Sequence, residues 1–171
     1  MISLPTFTED DIRILEQLDD DFLDESIAFL RNYHFVFWKN NDTGEIVPEH
    51  KLPRELRKQP TPQYPRELRK IGGILGSIAP QNTFEILRKE GFFTKGSFVR
   101  MEHPGTLYSP TLICARIADA CKREHLCDGL LGNGIRNGLY LKMLMHLQDL
   151  YHYYQYCKFQ DFAQNRGDIT E

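Results

Sequence analysis

The sequence predicts an α+β chain that is predominantly α-helical, with an N-terminal acidic helix, short β-hairpins and a long apolar, aromatic C-terminal helix. Three observations predict it. Apolar residues recur at helical spacing near both ends, aromatic and β-branched clusters flank turn sequences between them, and prolines and glycines cut the middle into short pieces. With 171 residues, 41% of them apolar and 12% aromatic, the chain holds enough apolar material for one packed core.

Thr8 and Asp11 form a capping box, and Glu9, Asp10 and Asp11 sit at the positive end of the helix dipole. Ile12, Leu15, Leu18 and Phe22 follow at helical spacing, with Ile27 and Leu30 continuing the stripe, so one long or two broken helices are expected between residues 9 and 32. Tyr33 to Trp38 and Glu45 to Val47 flank the turn Asn40-Asn41-Asp42-Thr43-Gly44 and predict a short hairpin ended by Pro48. The hexapeptide Pro-Arg-Glu-Leu-Arg-Lys then occurs twice, at 53–58 and 65–70. The first copy is expected as a loose turn. The second starts a helix from Pro65 to about Leu75, which Gly72-Gly73 weakens. Between them Gln59 to Tyr64 is too proline-rich to be helical.

Asn82 or Thr83 caps a further helix from Phe84 to Lys89, ended by Gly91. Phe92 to Arg100 reads as strand, turn and strand about Lys95-Gly96. Pro110 to Cys127 reads as a helix with Ile113, Ile117 and Ala120 on one face. Gly129, Gly132, Gly134 and Gly138 predict a flexible or sharply turned connection. From Leu139 to Phe162 there is no Gly or Pro and most positions are apolar, which predicts one long helix. The organisation expected is an acidic helix plus hairpin at 1–50, a proline-rich basic connector at 51–64, a main helical unit at 65–165 and a flexible tail at 166–171.

Charge is unevenly distributed. Residues 1–50 hold 12 Asp/Glu against 3 Lys/Arg, residues 51–104 hold 11 Lys/Arg against 5 Asp/Glu, and residues 105–171 hold 7 of each. The net charge of −3 therefore hides an acidic head, a basic middle and a neutral tail. Arg54, Arg57, Lys58, Arg66, Arg69 and Lys70, with Arg88, Lys89, Lys95 and Arg100 downstream, are the candidate contacts to nucleic acid or to an acidic partner. Phe92, Phe93 and Phe98 interleave with the second group as base-stacking residues do. In the plainer reading the basic stretch packs against the acidic helix that carries Asp19, Asp20, Asp21, Asp24 and Glu25, and the phenylalanines belong to the core.

The order helix, strand, basic turn region, helix, turn, helix and two-stranded hairpin is that of a winged helix-turn-helix. The stretch from Glu67-Leu68 through Gly91-Phe92-Phe93 to Gly96-Ser97-Phe98-Val99 resembles winged-helix domains of bacterial transcription regulators. The resemblance covers about 35 residues. It implies a helix at 83–90 in the major groove, with Lys95 and Arg100 on phosphates. Gly72-Gly73 inside the scaffold helix, and Glu85 and Glu90 facing the phosphates, depart from that pattern.

No catalytic constellation emerges, and the expectation is a protein that is not an enzyme; catalytic groups converging from distant positions would escape this reading. Cys114, Cys121 and His125 share a helical face with Cys127 two residues on, but no Cys-x-x-Cys accompanies them, so no metal site is expected. Asp149 and His152 make half of a carboxylate-bridged site without its second half. Gly132-Asn133-Gly134 follows a helix rather than a strand, which excludes a dinucleotide fingerprint, and no cofactor is evident. Without a signal-peptide pattern or a run of about 18 apolar residues, a cytoplasmic or nuclear protein off the membrane is expected, with reduced thiols.

The C-terminal helix carries the strongest functional hint. Tyr140, Leu144, Leu147, Tyr151 and Tyr154 form one stripe, Met143, Leu150, Tyr153 and Cys157 a second, and Leu141, Met145, Tyr156 and Phe159 a third side. A helix apolar nearly all round is either central or covered by a partner. The first stripe is the candidate protein interface, and the expected function is a regulatory or adaptor protein that binds a protein partner or itself. A nucleic-acid-binding regulator is the alternative.

Overall fold

The computed structural model describes residues 6–33, 36–40, 42–51, 61–89, 108–123 and 130–168, leaving aside the side chains of Thr61, Phe84, Arg123, Leu130, Asn133 and 162–168. Helix α1, Glu9–Gln17, begins with the expected capping box: Asp11 N donates to Thr8 Oγ1 at 3.2 Å and Thr8 N to Asp11 Oδ2 at 3.0 Å. Leu18 leaves the helix in extended conformation. Asp19 then caps α2, Asp20–Asn32, by accepting from Phe22 N at 2.7 Å. The polar pair at 19–20 thus breaks the stripe into two helices. The buried row of α1 is Asp11, Ile14 and Leu15 rather than Ile12 and Leu15, and Ile12 is 39% exposed, so the inner face is turned slightly from the expected one and takes in Asp11.

Strands β1, Phe37–Lys39, and β2, Ile46–Pro48, form the predicted hairpin, with Gly44 at φ +72° in its turn. A one-turn 3-10 segment follows at Glu49–Lys51. The first hexapeptide copy lies outside the described residues, but Thr61–Gln63 returns as β3, antiparallel to β1 on its other side. Sequence reading missed this strand. Glu49 N donates to Val36 O and Asn40 N to Glu45 O, so Phe37 and Lys39 turn their polar groups toward β3. The nitrogens of Pro48 and Pro62 therefore fall on the two outer edges, where no donor is needed and a further strand is discouraged.

Helix α3, Arg66–Ile78, runs three residues past the expected end. Gly72 does not weaken it without return: a Cβ there would stand 2.5 Å from Cys121 Sγ, so the glycine permits close approach to α5, Pro110–Arg123. Helix α4, Thr83–Lys89, packs Leu87 on Leu112 and Ala115 of α5 in a small second cluster. The expected strands at 92–100 and the end of the predicted helix at 124–127 lie outside the described residues.

The glycine-rich connection is corrected. Leu130–Arg136 is a helix, α6, and only Asn137-Gly138, with Gly138 at φ +72°, turns the chain. Gly132 and Gly134 serve packing instead of bending, since a Cβ on either would strike Val36 or the Tyr140 ring. Gly132 N donates to Tyr64 Oη at 3.2 Å, and Arg136 grips Glu49 through two contacts of 2.7 Å, tying the sheet to α6. Helix α7, Leu139–Asp168, extends beyond the expected Phe162 and forms the spine. Helices α2, α5 and α6 pack along it, burying Tyr140, Met143, Leu144, Leu147, Leu150 and Tyr151 in one core with Leu23, Ile27, Leu30, Ile113 and Ile117. None of the described helices is long and apolar enough to cross a membrane.

Candidate interaction surface

Four of the five residues assigned to a protein interface are in the core. Tyr140, Leu144, Leu147 and Tyr151 are between 0% and 8% exposed, each covered by this chain's own helices. Tyr154 is half-buried beneath Phe7 in an edge-to-face contact of 5.9 Å, and its hydroxyl donates to Glu16. That stripe is therefore corrected from interface to core. Among the described residues, the large apolar side chains that α7 leaves outside are Met145, Tyr156 and Phe159, at 40%, 61% and 67% exposure.

Helix α7 also answers the acidic head. Lys158 Nζ lies 2.9 Å from both carboxylate oxygens of Glu16, His152 Nε2 is 2.7 Å from Asp20 Oδ1, and Gln148 donates to Asp24 at 2.6 Å. The Tyr154 and Lys158 hydrogen bonds hold the Glu16 carboxyl below its usual range, and Glu16 in turn pushes the Tyr154 hydroxyl up to about 12. These ties use one face of α1 and α2 and leave Asp21 and Glu25 exposed.

Of the basic candidates, Arg54, Arg57, Lys58, Lys95 and Arg100 lie outside the described residues. Arg66, Arg69 and Lys70 are exposed on α3, and Arg88 and Lys89 on α4. Among the described residues no ion pair joins any of these five to the acidic helices. Helix α3 does lie beside α2, but without an ion pair between them among the described residues.

Two concavities were not legible in the sequence, because each joins elements distant along it. A cleft of about 510 Å³ separates α1 from the turn between α3 and α4, with Asp10, Arg13, Gln17, Ser77, Gln81 and Asn82 on its walls. Arg13 there is paired with Asp10 at 3.2 Å, and the Ser77 hydroxyl donates to Ile74 O, so neither is set up as a nucleophile or base. A groove of about 100 Å³ runs between α2 and α3, lined by Phe22, Glu25, Ser26, Phe29, Glu67, Lys70 and Ile71. Glu25 and Lys70 face it from opposite helices with no ion pair between them.

Cys114 lies fully inside the core, where burial first and the Asp11 charge second push its thiol up to about 12. It stays protonated and is neither nucleophile nor metal ligand at neutral pH. Cys121 abuts Gly72; His125 and Cys127 lie outside the described residues. Among the described residues no three His, Cys, Asp or Glu side chains gather as a metal ion requires. Compared with family models, with curated proteins and with solved structures, this chain matches none of them.

Proposed function

We propose that the protein is a non-enzymatic regulatory or adaptor protein, and that the exposed basic face of α3 is its contact surface for an acidic protein partner. One observation carries the reading: α7 ties the acidic head through Glu16, Asp20 and Asp24, while Arg66, Arg69 and Lys70 stay exposed on one side of α3 without an ion pair among the described residues. The packed helix fixes the spacing of the backbone positions that carry these cations, and electrostatic complementarity of this kind governs encounter and partner choice. The outward residues Tyr156 and Phe159 of α7 supply aromatic bodies of the sort that anchor interfaces.

Nucleic-acid binding is the second reading, supported by the helix, four-residue turn and helix at 66–89, with Arg88 and Lys89 exposed on the second helix. Fluorescence anisotropy separates the two. A labelled poly-glutamate peptide, a short duplex and a single-stranded oligonucleotide are titrated against wild type and the Arg66→Glu/Arg69→Glu/Lys70→Glu variant at low and moderate salt. The adaptor reading expects peptide binding that the triple variant loses. Oligonucleotide binding with a steep salt slope and no peptide binding transfers the basic face to the second reading. Binding of none of the three probes refutes both.

A further inference from the structure

The groove between α2 and α3 has chemically opposite banks. On α2, Asp21 and Glu25 are exposed four residues apart; on α3, Arg66 and Lys70 are exposed four residues apart. At 1.5 Å of rise per residue, each pair spans about 6 Å along its helix, so the carboxylate spacing matches the cation spacing. Of the charged residues on the two helices, Glu25, Glu67 and Lys70 line the groove itself, and Asp21 and Arg66 stand exposed one turn along from Glu25 and Lys70. Between the banks lie Phe22 and Phe29, both half-buried, and Ile71. Glu25 and Lys70 do not close the groove by pairing across it.

A surface with an acidic bank, an apolar floor and a basic bank is complementary to itself. A two-fold axis running along the groove lays the acidic bank of one copy on the basic bank of the other, twice over, and sets the two phenylalanine floors face to face. Closed two-fold association needs one patch in which residue i meets j and j meets i, and this patch meets that condition. An axis across the groove would instead stack acid on acid and base on base, so the charges also fix the orientation of the pair.

We propose that the α2–α3 groove is a homodimer interface, its occupant a second copy of this chain docked with Glu25 of each copy against Lys70 of the other. The proposal rests on reading the basic α3 face as a contact surface, and names α2 of the second copy as the acidic surface it meets.

Both residues are exposed, so reversing them leaves the fold intact, and charge swapping tests the reciprocity directly. Sedimentation equilibrium is measured on wild type, Glu25→Lys, Lys70→Glu, their equimolar mixture, and the double variant Glu25→Lys/Lys70→Glu. Wild type is expected to dimerise. Each single variant places like charges opposite one another at two symmetry-related points and is expected to weaken the dimer ten-fold or more, by about 1.4 kcal/mol per factor of ten. The mixture restores both attractive pairs as a heterodimer, and the double variant restores them as a homodimer. A dimer that both single variants leave unchanged lies elsewhere and overturns the proposal. So does a monomeric wild type. The poly-glutamate peptide is titrated in parallel: if wild type is monomeric yet binds the peptide and Lys70→Glu does not, the homodimer fails while the basic contact surface stands.

Discussion

Asp11 shows how one residue can be legible in one role and hidden in another. Its capping partnership with Thr8 is written three positions away in the sequence. Its second role is not, because Asp11 Oδ1 also accepts from Thr111 N at 3.0 Å and from the Thr111 hydroxyl, 100 residues on, at the first turn of α5. One carboxylate, 2% exposed, thereby satisfies donors at the starts of two helices, where the dipoles favour a negative charge. Nothing in the local pattern around Thr111 announces this, since the pairing depends on how α1 crosses α5. Replacing Asp11 with Ala removes the acceptor for three donors, two of them backbone amides at helix starts. The expected loss is about 3 kcal/mol, read as a lower urea midpoint at unchanged slope. Replacing the exposed Asp10 beside it is expected to cost less than about 0.5 kcal/mol.

At the scale of elements, hydrophobic period and cap chemistry were sufficient for α1, α2, α3, α4, α5 and α7, and for the β1–β2 hairpin. They failed where glycine and proline meant packing rather than turning. Helix α6 is hidden in the sequence because Gly132 and Gly134 suit loops. Its neighbours require them, as the Tyr140 ring lies against Gly134. Gly134→Ala favours the helix intrinsically yet drives a methyl group into that ring, and the steric term is expected to win, destabilising by about 2 kcal/mol in urea unfolding. The tie between α1 and α7 makes a prediction in pH. Glu16 is held below its ordinary value of 4.5, so the stability it adds is present above that pH and is lost as pH falls further. Tyr154 is raised from 10 to about 12, so its contribution is complete below pH 10 and disappears as pH rises through about 12. Tyr154→Phe should flatten both limbs, because the same hydrogen bond is the largest influence on each group. Lys158→Met should flatten only the acid limb. Each effect stays under about 1 kcal/mol because the groups are partly solvated, and urea midpoints from pH 3 to 12 measure it.

For the molecule as a whole, sequence composition announced an acidic head, a basic middle and a neutral tail, but not which of them meet. Electrostatic pattern fixes signs along a chain; only the packing of α7 between the other helices decides that the neutral tail, through Lys158, His152 and Gln148, takes the acidic head. The same limit applies to the apolar surface of α7. Its three stripes were visible as period, yet period alone cannot say which faces inward; the stripe of Tyr140, Leu144, Leu147 and Tyr151 does, with Met143 and Leu150 of the second, because α2, α5 and α6 close over them. A mutational contrast follows from that geometry. Leu147, fully buried, leaves a cavity when cut to Ala and is expected to cost about 3 kcal/mol. Placing Asp at Tyr151 puts an uncompensated charge into the core and should leave the protein unfolded. Asp at both Tyr156 and Phe159, more than 60% exposed, should change stability by less than about 0.5 kcal/mol, because water already reaches both rings. Circular dichroism and urea unfolding of the three variants read the contrast. If the Tyr156→Asp/Phe159→Asp protein is destabilised as the other two are, the outer face of α7 is packed and cannot be a contact surface. If it folds as wild type, that aromatic face is left open to a partner, and its loss can be tested on binding without the fold being lost with it.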